Sequence, residues 1–593
     1  MKKLSKKSKI ILAGFIVIAI IITVIVLMIA SRGNSNNNGG ISYNPLVKKT
    51  DTWLFKNETM ATDAVASSFM SNMAIGGGNQ MAQMACSSVS TKNIGFSTGG
   101  AKDVNNFREN IKNNYLPLPT DITYEGLFYD YYFDTGKTKE SNQLFSPSYT
   151  YAISKDPISS QEDYYLAVGL NSNIKTGDFK RKKLNLVVVL DISGSMGEQF
   201  NSYYYDNLNK GKKDKDPDSE KAKIEVASKS IVGLLDHLNE NDRFGMVVYD
   251  DSAYLANKLT KVEEIDIKAV KKHIMELSSR GGTNLESGYN EASKLFKDIS
   301  ESNPQEYENR IIFLTDAMPN IGDTDEQSLL GLTKKNADKK IYTTFIGIGV
   351  DFNTSLIETI TKVRGANYYS VHSSEEFKKR MDKEFEYMVT PLVFNLSLNL
   401  DSKGYIIEKV YGSPEANEAT GEIMKVNTLF PSAQTDEGTR GGIILLKLKK
   451  LSDNNDLTLN VSYEDRNGKS DSSTEKVVFE NRTSEYFANN GIRKAVLLSR
   501  YADLLKDWTI DQRQNYDDQK VDKILINQED GILVPPENPQ LGKWERQSIA
   551  LKVLDEYKNL FNQFEKYFEE EMKDINDADL SQEVDILKKL TNK

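Results

Sequence analysis

The feature that most constrains this chain is the run Leu184, Leu186, Val187, Val188, Val189, Leu190, which ends abruptly in Asp191-Ile192-Ser193-Gly194-Ser195-Met196. A stretch this β-branched, without polar alternation, predicts a parallel strand buried on both faces. Whatever follows it lies at a strand's carboxyl end, where open α/β sheets place their ligands. Asp191, Ser193 and Ser195 offer one carboxylate and two hydroxyls at alternate positions. Oxygen-only ligands with a single nearby charge suit a hard cation, Mg²⁺ or less tightly Ca²⁺. Taken alone, the six residues also fit a strand-to-helix turn capped by Asp and Ser.

Two later stretches point to the cation. Ser278-Ser279-Arg280-Gly281-Gly282-Thr283-Asn284 is a loop of small residues before a helical pattern, and it brings another hydroxyl, Thr283. Ile311, Ile312, Phe313 and Leu314 then form a second buried strand ending in Thr315-Asp316, again a carboxylate at a strand's carboxyl end. Together these resemble the von Willebrand factor A-type domain, whose metal-ion-dependent adhesion site is built from D-x-S-x-S, a distant Thr and a distant Asp in this order. The resemblance implies that Asp191, Ser193, Ser195, Thr283 and Asp316 hold one Mg²⁺, or Ca²⁺ or Mn²⁺ in its place. Ala317 departs from the family, many members of which carry Gly after the Asp.

The expected fold class is α/β: a doubly wound, parallel-sheet A-type domain over residues 183–389, inserted in an antiparallel β-sandwich. Inside the domain, helical spacing at Ile224, Val226, Ala227, Ile231, Leu234 and Leu235 alternates with strands near Phe244–Tyr249, Ile341–Ile348 and Tyr368, and a helix from Glu375 to Met388 closes it. From Pro391 the period changes to two, so residues 390–482 read as the sandwich, completed by strands within the flanking region 93–182. Residues 483–593 read as helical. Phe487 to Leu505 is one amphipathic stretch, and Trp544 to Met572 another.

Residues 93 to about 510 are similar, more loosely, to microbial surface proteins called calcium-activated-chloride-channel-like, relatives of the inter-alpha-trypsin-inhibitor heavy chains. The segments carrying this likeness are Ile94-Gly95-Phe96-Ser97, Asn106-Phe107-Arg108, Leu116-Pro117-Leu118-Pro119, Tyr124-Glu125, the cluster Phe128, Tyr129, Tyr131, Tyr132, Phe133, and Tyr164 to Leu170. The channel label implies little, since a pore needs several spanning segments. Some relatives carry a zinc-protease motif, but His237, His273 and His372 stand in no H-E-x-x-H.

The chain opens with a basic tail, residues 1–9, and a charge-free run, residues 10–30, long enough to span a ~30 Å hydrocarbon core as a helix. Lysines on its leading side predict a cytoplasmic N-terminus, a single-pass anchor and an extracytoplasmic remainder. A cleaved signal peptide would have a shorter apolar core, about 7–15 residues, and a better cleavage site than Ile29-Ala30-Ser31. Residues 31–92 read as a flexible, Asn- and Gly-rich tether followed by a Met-rich segment. With Cys86 the only cysteine, no intramolecular disulfide forms. The net charge of −10 argues against nucleic acid as a partner.

The stretch after the metal loop departs from the short connection usual in the family. It carries Tyr203, Tyr204 and Tyr205 and begins on the binding face, so it reads either as a solvated loop or as amphipathic contact surface beside the ion. The expected function is non-enzymatic: membrane-anchored binding or adhesion in which a protein partner's carboxylate completes the ion's coordination. An auxiliary subunit or assembly factor of a membrane complex is the alternative. Against a metal-dependent hydrolase, no His or Glu in the metal loops is placed as a general base. Against an ATP-linked factor, no G-x-x-x-x-G-K-[ST] loop occurs.

Overall fold

The computed structural model describes residues 49–56, 93–136, 143–206, 208, 221–299, 305–414, 423–480, 482, 485–526 and 541–592. The chain divides into residues 1–48 and 49–593, and only the second unit is described below. The expected cytoplasmic tail, the span over 10–30 and most of the tether lie outside the described residues. Among the described residues no helix is long and apolar enough to cross a membrane. Residues 49–56, expected within the tether, are instead seated on the α/β domain. The Trp53 ring stacks on His273, Phe55 is buried, and the Leu54 N–H donates to the Ala256 carbonyl at 2.8 Å. Two large rings in eight residues were the cue that this part is packed.

The strands run β1 (Asn93–Thr98), β2 (Gly100–Ala101), β3 (Tyr132–Phe133), β4 (Ser148–Lys155), β5 (Glu162–Gly169), β6 (Asn171–Lys175), β7 (Lys183–Asp191), β8 (Arg243–Tyr249), β9 (Ala253–Lys261), β10 (Tyr307–Thr315), β11 (Ile341–Ile348) and β12 (Asn367–Val371). After these come β13 (Val393–Asp401), β14 (Tyr405–Tyr411), β15 (Ile423–Ser432), β16 (Gln434–Thr435), β17 (Gly438–Arg440), β18 (Ile443–Lys450), β19 (Asp456–Asp465), β20 (Ser470–Val478) and β21 (Tyr486–Phe487). The principal helices are α1 (Asn105–Lys112), α2 (Tyr124–Tyr129), α3 (Lys223–Leu234), α4 (Ile267–Met275), α5 (Leu285–Lys294), α6 (Glu326–Asp338), α7 (Thr354–Ile360), α8 (Ser374–Met388), α9 (Asn490–Ile526), α10 (Asp555–Ile575) and α11 (Ser581–Thr591).

The α/β domain is a seven-stranded sheet in the order β2-β12-β11-β10-β7-β8-β9, parallel except for β9, which pairs antiparallel with β8. β7 lies inside the sheet between β10 and β8, and its side chains alternate between two cores as a strand's period of two requires. Leu184, Leu186, Val188 and Leu190 pack with α3, α4 and α8 on one face, while Val187 and Val189 pack with α5, α6 and α7 on the other. This is the doubly wound fold expected from the unbroken apolar run.

The sandwich pairs a six-stranded sheet, β20-β19-β13-β15-β1-β6, with a five-stranded sheet, β14-β18-β5-β4-β21. Strands from both sides of the α/β domain contribute, so the domain is an insertion in the sandwich. A third apolar layer covers the outer face of the five-stranded sheet, where Ala152, Tyr165, Ala167, Ile443 and Leu445 meet Ile492, Val496, Trp508, Phe561, Phe564 and Phe568 of α9 and α10. β16, β17 and β3 form a small separate sheet.

One expected element differs. The helix read over Trp544 to Met572 begins only at Asp555. Residues 541–554 run without helix across the α/β domain, with Trp544, Arg546, Ser548, Leu551 and Val553 buried.

Candidate metal centre

Strand registers place the centre. Asp191 at the end of β7 lies opposite Tyr249 of β8, and Leu190 lies opposite Leu314 of β10, so Thr315 stands level with Asp191 on the other flank. Both neighbours donate to the same carboxylate oxygen: Tyr249 Oη to Asp191 Oδ2 at 2.8 Å and Thr315 Oγ1 at 2.7 Å. The Ser193 N–H donates to Asp191 Oδ1 at 2.9 Å, which folds the metal loop back over its own strand end. Ser193 Oγ and Ser195 Oγ lie 3.1 Å apart, both buried.

Asp316 follows β10 directly and is fully buried. Its Oδ2 accepts from Lys223 Nζ at 3.1 Å, and Oδ1 has no hydrogen-bond partner. Lys223 opens α3, is itself fully buried, and donates also to Asp351 Oδ2 at 2.7 Å. Asp351 lies just beyond β11, the third parallel strand to deliver a carboxylate to this end of the sheet. Gly349, at φ 92°, lets the β11 loop pass close to the lysine: a Cβ there would meet Lys223 Cε at 2.7 Å.

Three fully buried carboxylates, Asp191, Asp316 and Asp351, thus gather at this end of the sheet; Lys223 pairs with the last two, and the buried Arg546 also acts on Asp351. Burial accordingly drives the Asp316 carboxyl up to about 7; Lys223 opposes this and the neighbouring Asp191 and Asp351 add to it. Burial also raises Asp191, against the hydrogen bonds from Ser193, Thr315 and Tyr249. For Lys223, burial works to lower the ammonium's pKa, but Asp351 and Asp316 outweigh it and the net shift is upward. The residues fit a divalent cation on two counts: buried carboxylates cluster here with Asp191 unpaired to any cation among the ion pairs of the described residues, and Asp316 Oδ1 is a buried oxygen with no hydrogen-bond partner.

Thr283 sits on the adjoining loop, buried, its N–H donating to Asn320 Oδ1 at 2.9 Å. That loop is stitched to the metal loop by Gly194 N–H to the Gly281 carbonyl at 2.9 Å and Arg280 N–H to the Ile192 carbonyl at 2.6 Å. All five residues read from the sequence therefore lie on three connected loops at one end of the sheet. Ala317 takes the left-handed conformation, φ 57°, that Gly adopts without the ~1–2 kcal/mol an L-residue incurs. This is the physical sense of the departure noted at that position.

The three tyrosines do not share one role. Tyr203 is buried, not a contact surface: its hydroxyl donates to Asn110 Oδ1 at 2.7 Å and accepts from Arg546 Nη2 at 2.8 Å. Tyr205 donates to Glu545 Oε1 at 2.7 Å. Tyr204 remains exposed, 41% accessible.

Tyr249, Thr315, Lys223 and Asp351 were missed by sequence reasoning. Asp351 had a signal, a carboxylate three residues past a buried parallel strand. Lys223 had none, because a lysine opening a helix is commonly solvated.

Residues 185–383 match the family model of the von Willebrand factor type A domain. These residues are a von Willebrand factor type A domain. Over 333 residues, the chain is 23% identical to the uncharacterized protein YfbK of Escherichia coli strain K12, covering 54% of this chain and 52% of that one. Over 212 residues it is 20% identical to inter-alpha-trypsin inhibitor heavy chain H4 of Homo sapiens, covering 35% of this chain and 20% of that one. The chain thus spans about half the length of the first relative and a fifth of the second. Among solved structures, von Willebrand factor type A from Catenulispora acidiphila is similar at 12% identity and a TM-score of 0.34, covering 59% of this chain and 77% of that one.

Proposed function

We propose that this protein is a non-enzymatic binding protein whose A-type domain holds one divalent cation, Mg²⁺ or a substitute, and through it engages a carboxylate of a protein partner. The observation that carries the reading is the cluster of three buried carboxylates, Asp191, Asp316 and Asp351, at the carboxyl end of the sheet, with Lys223 pairing only the last two. Asp191 and Asp316 supply the charged oxygens for the ion, and Ser193, Ser195 and Thr283 the neutral ones. When bound, the ion supplies a Lewis-acidic position that a partner's carboxylate can fill. The protein's part is to hold the loops rigid: Tyr249 and Thr315 fix Asp191, and Lys223 fixes Asp316 against Asp351. Among the described residues, His237 pairs with Asp382 and His273 with Asp51.

The apolar run at residues 10–30 supports anchoring in a membrane with the A-type domain outside the cytoplasm. Adhesion to another cell and docking to a neighbour in the same membrane would use the same ion.

Calorimetric titration of Mg²⁺ and Mn²⁺ into the parent and into Asp191→Ala tests the centre. Loss of a charged ligand, about 1.5–3 kcal/mol, should weaken metal binding about tenfold or more, with the circular dichroism of the fold retained. Equal affinity in parent and variant would overturn the reading.

A further inference from the structure

Ten large apolar side chains are exposed among the described residues, and two of them, Tyr204 and Ile321, stand against the glycines of the metal loops. A Cβ built on Gly194 would lie 3.9 Å from Tyr204 Oη, and one built on Gly282 only 2.5 Å from Ile321 Cδ1. One stands beside the loop of Ser193 and Ser195, the other beside that of Thr283. An aromatic and an aliphatic group therefore flank the candidate ion.

Tyr204 is also held in place without a partner. Its N–H donates to Asp351 Oδ2 at 2.9 Å, the same oxygen that takes Lys223 Nζ. Tyr203 before it is fixed by Asn110 and Arg546, and Tyr205 after it by Glu545, with the Tyr204 and Tyr205 rings edge-on at 4.8 Å. Ile321 is fixed likewise: its N–H donates to the Thr283 carbonyl at 3.2 Å, and Asn320 beside it bridges Thr283 N–H and Glu545 Oε1. Exposed apolar groups on a backbone this restrained lose little freedom when covered, which is how binding hot spots are built. Among the described residues three exposed acidic side chains stand near them: Glu198 follows the metal loop, Asp251 packs on Gly281 and Gly282, and Asp323 follows Ile321.

We propose that Tyr204 and Ile321 are specificity-determining contacts of the metal-site face, and that they select a protein segment whose carboxylate is flanked by apolar side chains and set among basic ones. The carboxylate answers the ion, the apolar flanks answer Tyr204 and Ile321, and the basic surroundings answer Glu198, Asp251 and Asp323. The inference rests on the metal-dependent reading above and adds to it what surrounds the carboxylate.

The test uses the full chain in detergent with a synthetic library of pentapeptides, X-X-Asp-X-X, with Mg²⁺ and then with chelator. Peptides retained only with Mg²⁺ should be enriched in apolar residues beside the Asp and in Lys or Arg further out. For the best of them, Tyr204→Ala and Ile321→Ala should each weaken binding tenfold or more while calorimetric Mg²⁺ affinity stays within twofold. Tyr204→Phe should retain most of the binding if ring contact is what matters. Mg²⁺-dependent retention without apolar enrichment, or variants that bind peptide like the parent, would overturn this proposal and leave the metal reading standing. Mg²⁺ binding with no peptide retained at all would also overturn it. A parent chain that binds no Mg²⁺ would sink the metal reading itself.

Discussion

At the scale of single residues, Lys223 is the most informative side chain in the centre. A buried ammonium between two buried carboxylates, 3.1 Å from Asp316 and 2.7 Å from Asp351, neutralises only part of the local charge. Removing it takes the paired ammonium from Asp316 and Asp351, and breaking a buried pair from one side costs about 3–5 kcal/mol. Lys223→Met should therefore lower stability by about that amount in chelator. Mg²⁺ should recover more of the loss in this variant than it adds to the parent, because the ion and the ammonium answer the same charges. Thermal unfolding of both proteins with and without Mg²⁺ checks this, and equal Mg²⁺ shifts would mean that lysine and ion do not share a field. Asp191, Ser193, Ser195, Thr283 and Asp316 were legible in the sequence because each sits at a strand end or in a loop whose composition marks it. Lys223 and Asp351 are 128 residues apart, and nothing local announces their meeting. The same holds for Tyr203: three adjacent tyrosines look alike as sequence, and only the distant Asn110, Tyr115, Val350 and Arg546 make the first one buried.

At the scale of elements, the clearest strands and helices were those whose burial follows one period. β7 carried its two-faced burial openly, and β11 runs from Ile341 to Ile348 as the apolar run implies. Residues 544–554 do not form the helix that the sequence suggests because the buried positions Trp544, Arg546 and Ser548 alternate by two, yet two of the three are polar. The pattern of hydrophobicity therefore did not show the pattern of burial. The short link from β1 to β2 is another element whose role only pairing reveals. β1 belongs to the sandwich and β2, two residues later, to the α/β sheet. Lys102 at its end is fully buried, donating to Ser97 Oγ and the Thr98 carbonyl and lying over the rings of Tyr129 and Phe430. Burial lowers its pKa to about 7, with Glu384 and Glu125 opposing and Arg440 assisting. Below pH 7 the ammonium is charged in both folded and unfolded chains and the folded state bears the full burial penalty. From pH 7 towards the unfolded value near 10.4 the unfolded chain binds more protons, so stability rises with pH, by up to about 1.4 kcal/mol per unit. Glu125, which burial raises to about 7, acts in the other window, its contribution being lost as pH rises from the unfolded carboxylate value. Denaturant unfolding of the parent and Lys102→Met between pH 7 and 9 should show a rising difference in the parent's favour. A flat difference would remove Lys102 from the account.

At the scale of the whole molecule, the unexpected feature is that the C-terminal segment closes onto the metal-site face of the A-type domain. Trp544 is buried among the side chains of the α5, α6 and α7 face, its Nε1–H donating to the Thr324 carbonyl and its carbonyl accepting from Asn353 Nδ2, both at 2.7 Å. Glu545 reaches Asn320 and Tyr205, and Arg546 reaches the Phe352 carbonyl and Tyr203. Further on, the Ile549 carbonyl accepts from Leu116 N–H and Leu551 N–H donates to the Asn114 carbonyl, both at 2.8 Å, beside α1. This stretch thus joins the A-type domain to the helical layer over the sandwich, with Trp544 its apolar anchor on the A-type domain and Leu551 and Val553 its anchors in the helical layer. Trp544→Ala should cost about 3–5 kcal/mol if the whole molecule unfolds as one body. If the segment opens by itself, as surface elements held by few apolar contacts do, amide exchange should quicken in residues 541–551 while β7, β10 and β11 keep their protection. The two outcomes separate a structural seam from a latch. Because Glu545 and Arg546 hold the neighbours of Tyr204, the latch outcome carries a second consequence. In Trp544→Ala, Mg²⁺ affinity should stay near the parent's, since Asp191, Asp316 and Lys223 are untouched, while exchange at Tyr204 and Tyr205 rises with that of the segment. Protection at those two residues that survives the loss of protection in 541–551 would show that the tyrosines are held by the A-type domain alone.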